Sequence, residues 1–213
     1  MPLTTNRTNV SSSQAAESSS EQRKSKTRIT HDFRERHDKS SEFPLAAARL
    51  GHADAQWKLT ADAITRGDHS QAFYWCEQAA NQSSPPHPLA LARMGLYHFE
   101  GRDGVVTRDL KLAFKYYQRA AELRHRGALS QLAQMYERGQ GCKVDFREAA
   151  RCYIILARDF SCPESMFCLG NLYMMGDGVA MDPDKAFQLW ERAAKLGHEG
   201  AQSFLTLRDL ATD

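Results

Sequence analysis

Eight histidines and five cysteines are the residues of this chain best suited to metal or nucleophilic chemistry. A zinc centre is commonly signalled by His-Glu-x-x-His, which sets two imidazoles on one helical face, or by paired Cys-x-x-Cys turns. Neither pattern occurs. His31 and His37 lie in a polar stretch, and His52 and His198 fall at equivalent places of a repeat, which reads as a repeat feature rather than a pair of ligands. Cys76, Cys142, Cys152, Cys162 and Cys168 are odd in number and do not recur at matching places of a repeat, the pattern of free thiols in a reducing compartment. Gly101-Arg102-Asp103-Gly104 lacks the Gly-Lys-Ser/Thr that would cradle a phosphate, and there is no nucleophile elbow or dinucleotide fingerprint. The expectation is no metal, no cofactor and no catalytic residue.

The elements that would position any site must come from the rest of the chain. Residues 1–40 hold eight Lys/Arg against five Asp/Glu, so the chain's basic excess sits in one polar end. The remainder, with 20 basic and 21 acidic residues, is nearly neutral and offers no broad basic field for nucleic acid. No run approaches the roughly 18 apolar residues of a membrane span. Met1-Pro2-Leu3-Thr4-Thr5 lacks the apolar core of a secretory signal, which points to the cytoplasm. Residues 1–43, with Ser11-Ser12-Ser13 and Ser18-Ser19-Ser20, carry too little apolar surface to offset ordering entropy and read as a disordered, mildly basic tail. The run Arg23-Lys24-Ser25-Lys26-Thr27-Arg28 reads as solvated charge, with a localisation signal as the alternative.

From Pro44 the chain repeats itself. Ala47-Ala48-Arg49-Leu50-Gly51-His52 is echoed by Ala193-Ala194-Lys195-Leu196-Gly197-His198. Gly95, Ala133 and Gly170 recur at intervals of 38 and 37, and Asp109, Asp145 and Asp182 at 36 and 37. Each unit reads as two helices. The first ends at a glycine (Gly101, Gly139, Gly176) suited to a left-handed C-terminal residue. The aspartate caps the second, with Glu148 completing a capping box after Asp145 and Pro183 at a first helical position. On the second helix the bulky pairs Trp75-Cys76, Tyr116-Tyr117, Cys152-Tyr153 and Leu189-Trp190 precede a pair of small residues by about a turn, so that small residues let neighbouring helices approach and large ones fill the groove between them. One such hairpin cannot bury both faces, so the units must stack. The fold expected is all-α, a right-handed α-solenoid of about four hairpins over residues 44–213, with units at about 53–82, 88–125, 127–160 and 164–198 and a half-unit at 200–213.

These residues resemble the Sel-1-like repeat, a relative of the tetratricopeptide repeat with a longer loop inside each unit. The unit with Leu169-Gly170, Tyr173, Gly176-Asp177-Gly178-Val179, Asp182, Lys185-Ala186, Trp190, Ala193-Ala194 and Gly197 follows the family pattern most fully. The preceding unit puts Cys142 where valine is usual. The one before has His98 at the tyrosine position and a loop two residues longer, and the earliest lacks the glycine-rich loop. The resemblance covers about residues 45–213 and implies an adaptor that assembles protein partners. Two alternatives stand beside it: a translocated bacterial effector acting through the same surface, with which the polar, Ser-rich N-terminus is compatible, and, by the resemblance, a weak β-lactamase-like hydrolase. The latter needs Ser-x-x-Lys, which the repeats do not contain. Some exported relatives carry a disulfide in each repeat, but here the cysteines do not recur from unit to unit.

By the resemblance, the partner surface is the concave face built from the first helix of each pair. Counting −6, −3, +1 and +4 from the small residue gives Asp54, Trp57, Ala61 and Ile64, then Leu89, Ala92, Leu96 and Phe99, in the two earlier units. The later units supply Gly127, Ser130, Gln134 and Glu137, then Glu164, Phe167, Asn171 and Met174. Trp57, Leu96, Phe99, Phe167 and Met174 are expected to anchor a protein partner, and Gln134, Glu137 and Asn171 to set its register. The alternative for the apolar members is packing against the neighbouring hairpin. Self-association through the ends of the solenoid is left open.

Overall fold

The computed structural model describes residues 44–81 and 86–212, with side chains through residue 206. The tail expected over residues 1–43 lies outside the described residues. Helices follow one another as α1 (Ala53–Thr65), α2 (His69–Ala80), α3 (Pro88–Glu100), α4 (Leu110–Glu122), α5 (Arg126–Arg138), α6 (Phe146–Asp159), α7 (Pro163–Met175), α8 (Pro183–Lys195) and α9 (Glu199–Thr212). A short helical stretch at 44–49 precedes them. Each helix packs on the next, and α3 also touches α5, so consecutive hairpins form an α-solenoid. Among the described residues there is no strand, only an isolated bridge between Arg102 and Val106. Nor, among the described residues, is any helix long and apolar enough to cross a membrane.

The caps follow from the residue types. Asp68, Asp109, Asp145 and Asp182 each accept a hydrogen bond from backbone amides of the even-numbered helix that follows. The capping box expected at Asp145 is not completed. The Asp145 amide that Glu148 would accept from donates to the Tyr136 carbonyl at 2.9 Å, and Glu148 pairs with Arg151. Gly139 and Gly176 end their helices in the left-handed region, as expected. Gly101 departs from that expectation. Its φ of 74° comes with an extended ψ of 164°, which launches the longer loop.

Close approach explains two further sets of glycines. A Cβ at Gly95 would lie 2.7 Å from the Tyr117 ring, and one at Gly170 2.4 Å from Trp190 Nε1, so the even helix settles onto the small residue of the odd one. A Cβ on Gly141 would lie 2.1 Å from the Leu110 carbonyl oxygen, and one on Gly178 2.3 Å from the Phe146 carbonyl carbon. These loops therefore rest on the first turn of the even helix one unit earlier. Gly104, in the longer loop, has nothing within 4 Å.

Three apolar clusters form the core, centred on Leu91, Met94 and Tyr117, on Leu132, Tyr153 and Leu156, and on Met166 and Trp190. Each fully buried Leu or Met stabilises by roughly 1.5–3 kcal/mol. The echo between the two ends of the repeat region is also structural. Gln56 Nε2 donates to the Ala48 carbonyl at 2.9 Å, and Gln202 Nε2 to that of Ala194 at 3.1 Å. Residues 44–49 therefore stand to α1 as α8 stands to α9.

Candidate partner-binding surface

Among the odd-numbered helices α3 packs on α5, side-chain contacts join α1 to α3 and α7 to α9, and none of the sixteen positions counted from the small residue is fully buried. Burial alternates along the same helices. In α7, Met166 and Leu169 are shut away, whereas Phe167 and Asn171 stay half-exposed.

Three of the four joints between successive odd helices carry a histidine cap. His87, His125 and His198 stand at the N-caps of α3, α5 and α9, and their Nδ1 atoms accept from the amides of Ala90, Ala128 and Ala201 at 3.4, 3.0 and 3.1 Å. An Nδ1 that accepts leaves the neutral ring's proton on Nε2, pointing back toward the previous unit. His87 Nε2 lies 3.6 Å from Asp54, and His198 Nε2 2.8 Å from Glu164. The Trp57 ring stacks on His87 at 5.3 Å, and Phe167 stacks on His198 at 4.5 Å. Burial pushes the pKa of His87 down, with Asp54 opposing, and burial does the same to His125. Cys162 takes the histidine's place before α7 and makes no side-chain cap.

Trp57 and Phe167, expected as partner anchors, therefore hold the joints, and Phe167 also lies against Trp190 and Phe204. Phe99 packs on the first core cluster and Met174 on the third. Glu137 accepts a hydrogen bond from the Tyr153 hydroxyl at 2.9 Å, and burial raises its carboxyl pKa. Leu96, Gln134 and Asn171 stay half-exposed. Sequence reasoning passed over the histidine caps as a set. The signal was present, because His52, His87, His125 and His198 each precede an odd helix. It also passed over Arg93 and Gln131.

Arg93 and Gln131 join Leu89, Ala92, Leu96 and His125 around a cleft of about 370 Å3 between α1, α3 and α5. A larger crevice of about 810 Å3 belongs to one surface loop, residues 100–108. Among the described residues no three His, Cys, Asp or Glu side chains are grouped to hold a metal ion. The five cysteines are free thiols.

A model of the Sel1 repeat matches residues 44–84, 88–125, 127–159 and 163–198. An exopolysaccharide production negative regulator of Rhizobium leguminosarum is 28% identical over 163 residues, 69% of this chain and 58% of that protein. The crystal structure of a Sel1 repeat protein from Oxalobacter formigenes superposes with a TM-score of 0.61 at 29% identity, covering 76% of this chain and 63% of that one. That of c5321, a protective antigen of uropathogenic Escherichia coli displaying an SLR fold, gives 0.65 at 30% identity over 76% of this chain and 34% of that one. The chain thus spans less than two thirds of the length of each of these three relatives.

Proposed function

The chain belongs to the Sel1 repeat family, and we propose that it is a non-catalytic adaptor that holds a segment of a protein partner along the face built by α1, α3, α5 and α7. Sel1 repeats typically mediate protein–protein contacts and generally act as scaffolds without catalysis. The observation that carries the reading to this face is the pattern of burial. Every one of the sixteen face positions keeps some contact with solvent, while the fully buried residues of these helices, such as Met94, Leu132 and Met166, all fall between them. Leu96, Gln134 and Asn171 are the central contacts in this reading. The exposed edges of Trp57, Phe99, Phe167 and Met174 and the Glu137 carboxyl flank them. The name of the Rhizobium relative, a negative regulator, fits an adaptor better than an enzyme.

The test is crosslinking capture from native lysate by the full chain and by a Gln134→Arg/Asn171→Arg variant. Both positions are half-exposed, so the variant is expected to keep its helicity and melting temperature. A partner captured by the parent and lost by the folded variant supports the reading. Equal capture by both removes it from this face.

A further inference from the structure

The joints differ from one another in a way that bears on what the face takes. Where His87 and His198 close a joint, the chain supplies both an aromatic ring against the imidazole and a carboxylate at Nε2. The ring comes from the −3 position (Trp57, Phe167) and the carboxylate from the −6 position (Asp54, Glu164). At the joint between α3 and α5 those positions hold Ala92 and Leu89. His125 still caps α5 through Nδ1 at 3.0 Å, so its Nε2 carries the proton. Among the described residues, however, no ring stacks on His125 and no carboxylate meets its Nε2. The side chain that would have filled the space is a single methyl, and the cleft of about 370 Å3 is the result. Arg93, half-buried, lines the same cleft and makes no ion pair with any described carboxylate.

We propose that this cleft takes an aromatic side chain of the protein partner with an Asp or Glu beside it, the ring lying on His125 and the carboxylate bound between Arg93 and His125 Nε2–H. The inference rests on the reading of this face as a partner surface. Its chemistry is the one the chain itself uses at two sister joints. A guanidinium fork in a partly desolvated, apolar-walled cleft selects a carboxylate over a neutral amide, because the charge-assisted pair gains most where water competes least. Trp57 and Leu96 line the same cleft and give it apolar surface beside that pair.

The probe is a fluorescein-labelled, end-capped twelve-residue Gly/Ser peptide with a central Asp-Phe-Asp, titrated by anisotropy against the full chain. Saturable binding is expected. Changing both Asp to Asn, or Arg93→Gln in the protein, weakens it about tenfold or more, the share of one charge-assisted hydrogen bond. Replacing the peptide Phe by Ala abolishes measurable binding. Leu89→Asp/Ala92→Phe rebuilds the closed joint from within, so it abolishes binding while the melting temperature holds or rises. If that variant misfolds, Arg93→Gln carries the test alone. Equal binding of the Asp and Asn peptides overturns the assignment, as does undiminished binding by a folded Leu89→Asp/Ala92→Phe variant. Binding that appears only after Asp32-Phe33 and Glu42-Phe43 are changed to alanines would assign the cleft to this chain's own N-terminal segment and overturn the partner assignment. A captured partner sensitive to Gln134→Arg/Asn171→Arg, but indifferent to Arg93→Gln and Leu89→Asp/Ala92→Phe, overturns the cleft and leaves the adaptor reading standing. A partner indifferent to all of them removes both.

Discussion

Gly170→Ala measures how closely the paired helices of a unit approach. A Cβ there would lie 2.4 Å from Trp190 Nε1 and 2.6 Å from Cδ1, well inside van der Waals contact. Trp190 is 4% exposed and donates its indole N–H to the Phe167 carbonyl at 3.2 Å, so it cannot swing aside freely. Alanine in place of glycine would favour the helix by about 0.5–1 kcal/mol. Against this stand overpacking at about 1–3 kcal/mol and a strained or lost indole hydrogen bond at about 1 kcal/mol. The balance is a loss of about 2 kcal/mol. In a domain of this size that lowers the melting temperature by roughly 4–8 °C. The assay is thermal and urea unfolding followed by circular dichroism and tryptophan fluorescence. The preceding unit pairs Ala133 with Tyr153 at these two positions, so Trp190→Tyr should lessen the cost of Gly170→Ala. A double-mutant cycle would then show coupling of about 1 kcal/mol. A Gly170→Ala protein at least as stable as the parent would refute the reasoning, because the helix propensity of alanine would then act unopposed.

The loop glycines make a second test. Gly178→Ala places a methyl against the Phe146 backbone and strains a φ of +68°, so it should cost more than about 2 kcal/mol, whereas Gly104→Ala, with nothing within 4 Å, should cost only the conformational strain of about 1–2 kcal/mol. Equal melting temperatures for the two variants would contradict the docking of loop on preceding helix. Acid should destabilise the solenoid. Burial lowers the pKa of His87, His98 and His125, so below about pH 6.5 the unfolded chain takes up protons that the fold refuses. Their contribution is complete above about pH 6.5 and is lost as pH falls from there through the lower folded values. The melting temperature should fall between pH 7.5 and 5.5, and His125→Ser, which keeps an N-cap without titrating, should flatten that slope. Burial raises the Cys76 thiol to about 12, so Cys76 should resist iodoacetamide in the folded chain at pH 8 and react once urea is added. Peptide mapping by mass spectrometry would read this.

Much of the architecture is local and therefore legible in the chain. The interval between Asp109, Asp145 and Asp182 announces the unit because an aspartate caps whichever helix follows it, whatever the surroundings. The glycines at 139 and 176 announce turns because a left-handed backbone favours glycine anywhere. Two local expectations gave way to tertiary contacts. The capping box failed because the Asp145 amide was taken by Tyr136, and Gly101 keeps a positive φ but swings its ψ to 164° where the longer loop, closed by the Arg102–Val106 bridge, begins.

The face positions were countable from the repeat, but their roles were not. Trp57 and Phe167 look like open anchors on a helical wheel, and each proves to lie on a histidine about 30 residues further along. The cleft at His125 depends on the same arithmetic read the other way. Ala92 and Leu89 are unremarkable in sequence, and only superposing one joint on its sisters shows a ring and a carboxylate replaced there. The amino-acid sequence by itself determined the repeat, its helices and their caps, because those depend on neighbours within a turn or two. Which side chains close the joints, and which joint stays open, was decided by the tertiary structure, since each joint is set by the residue that the next unit brings against it.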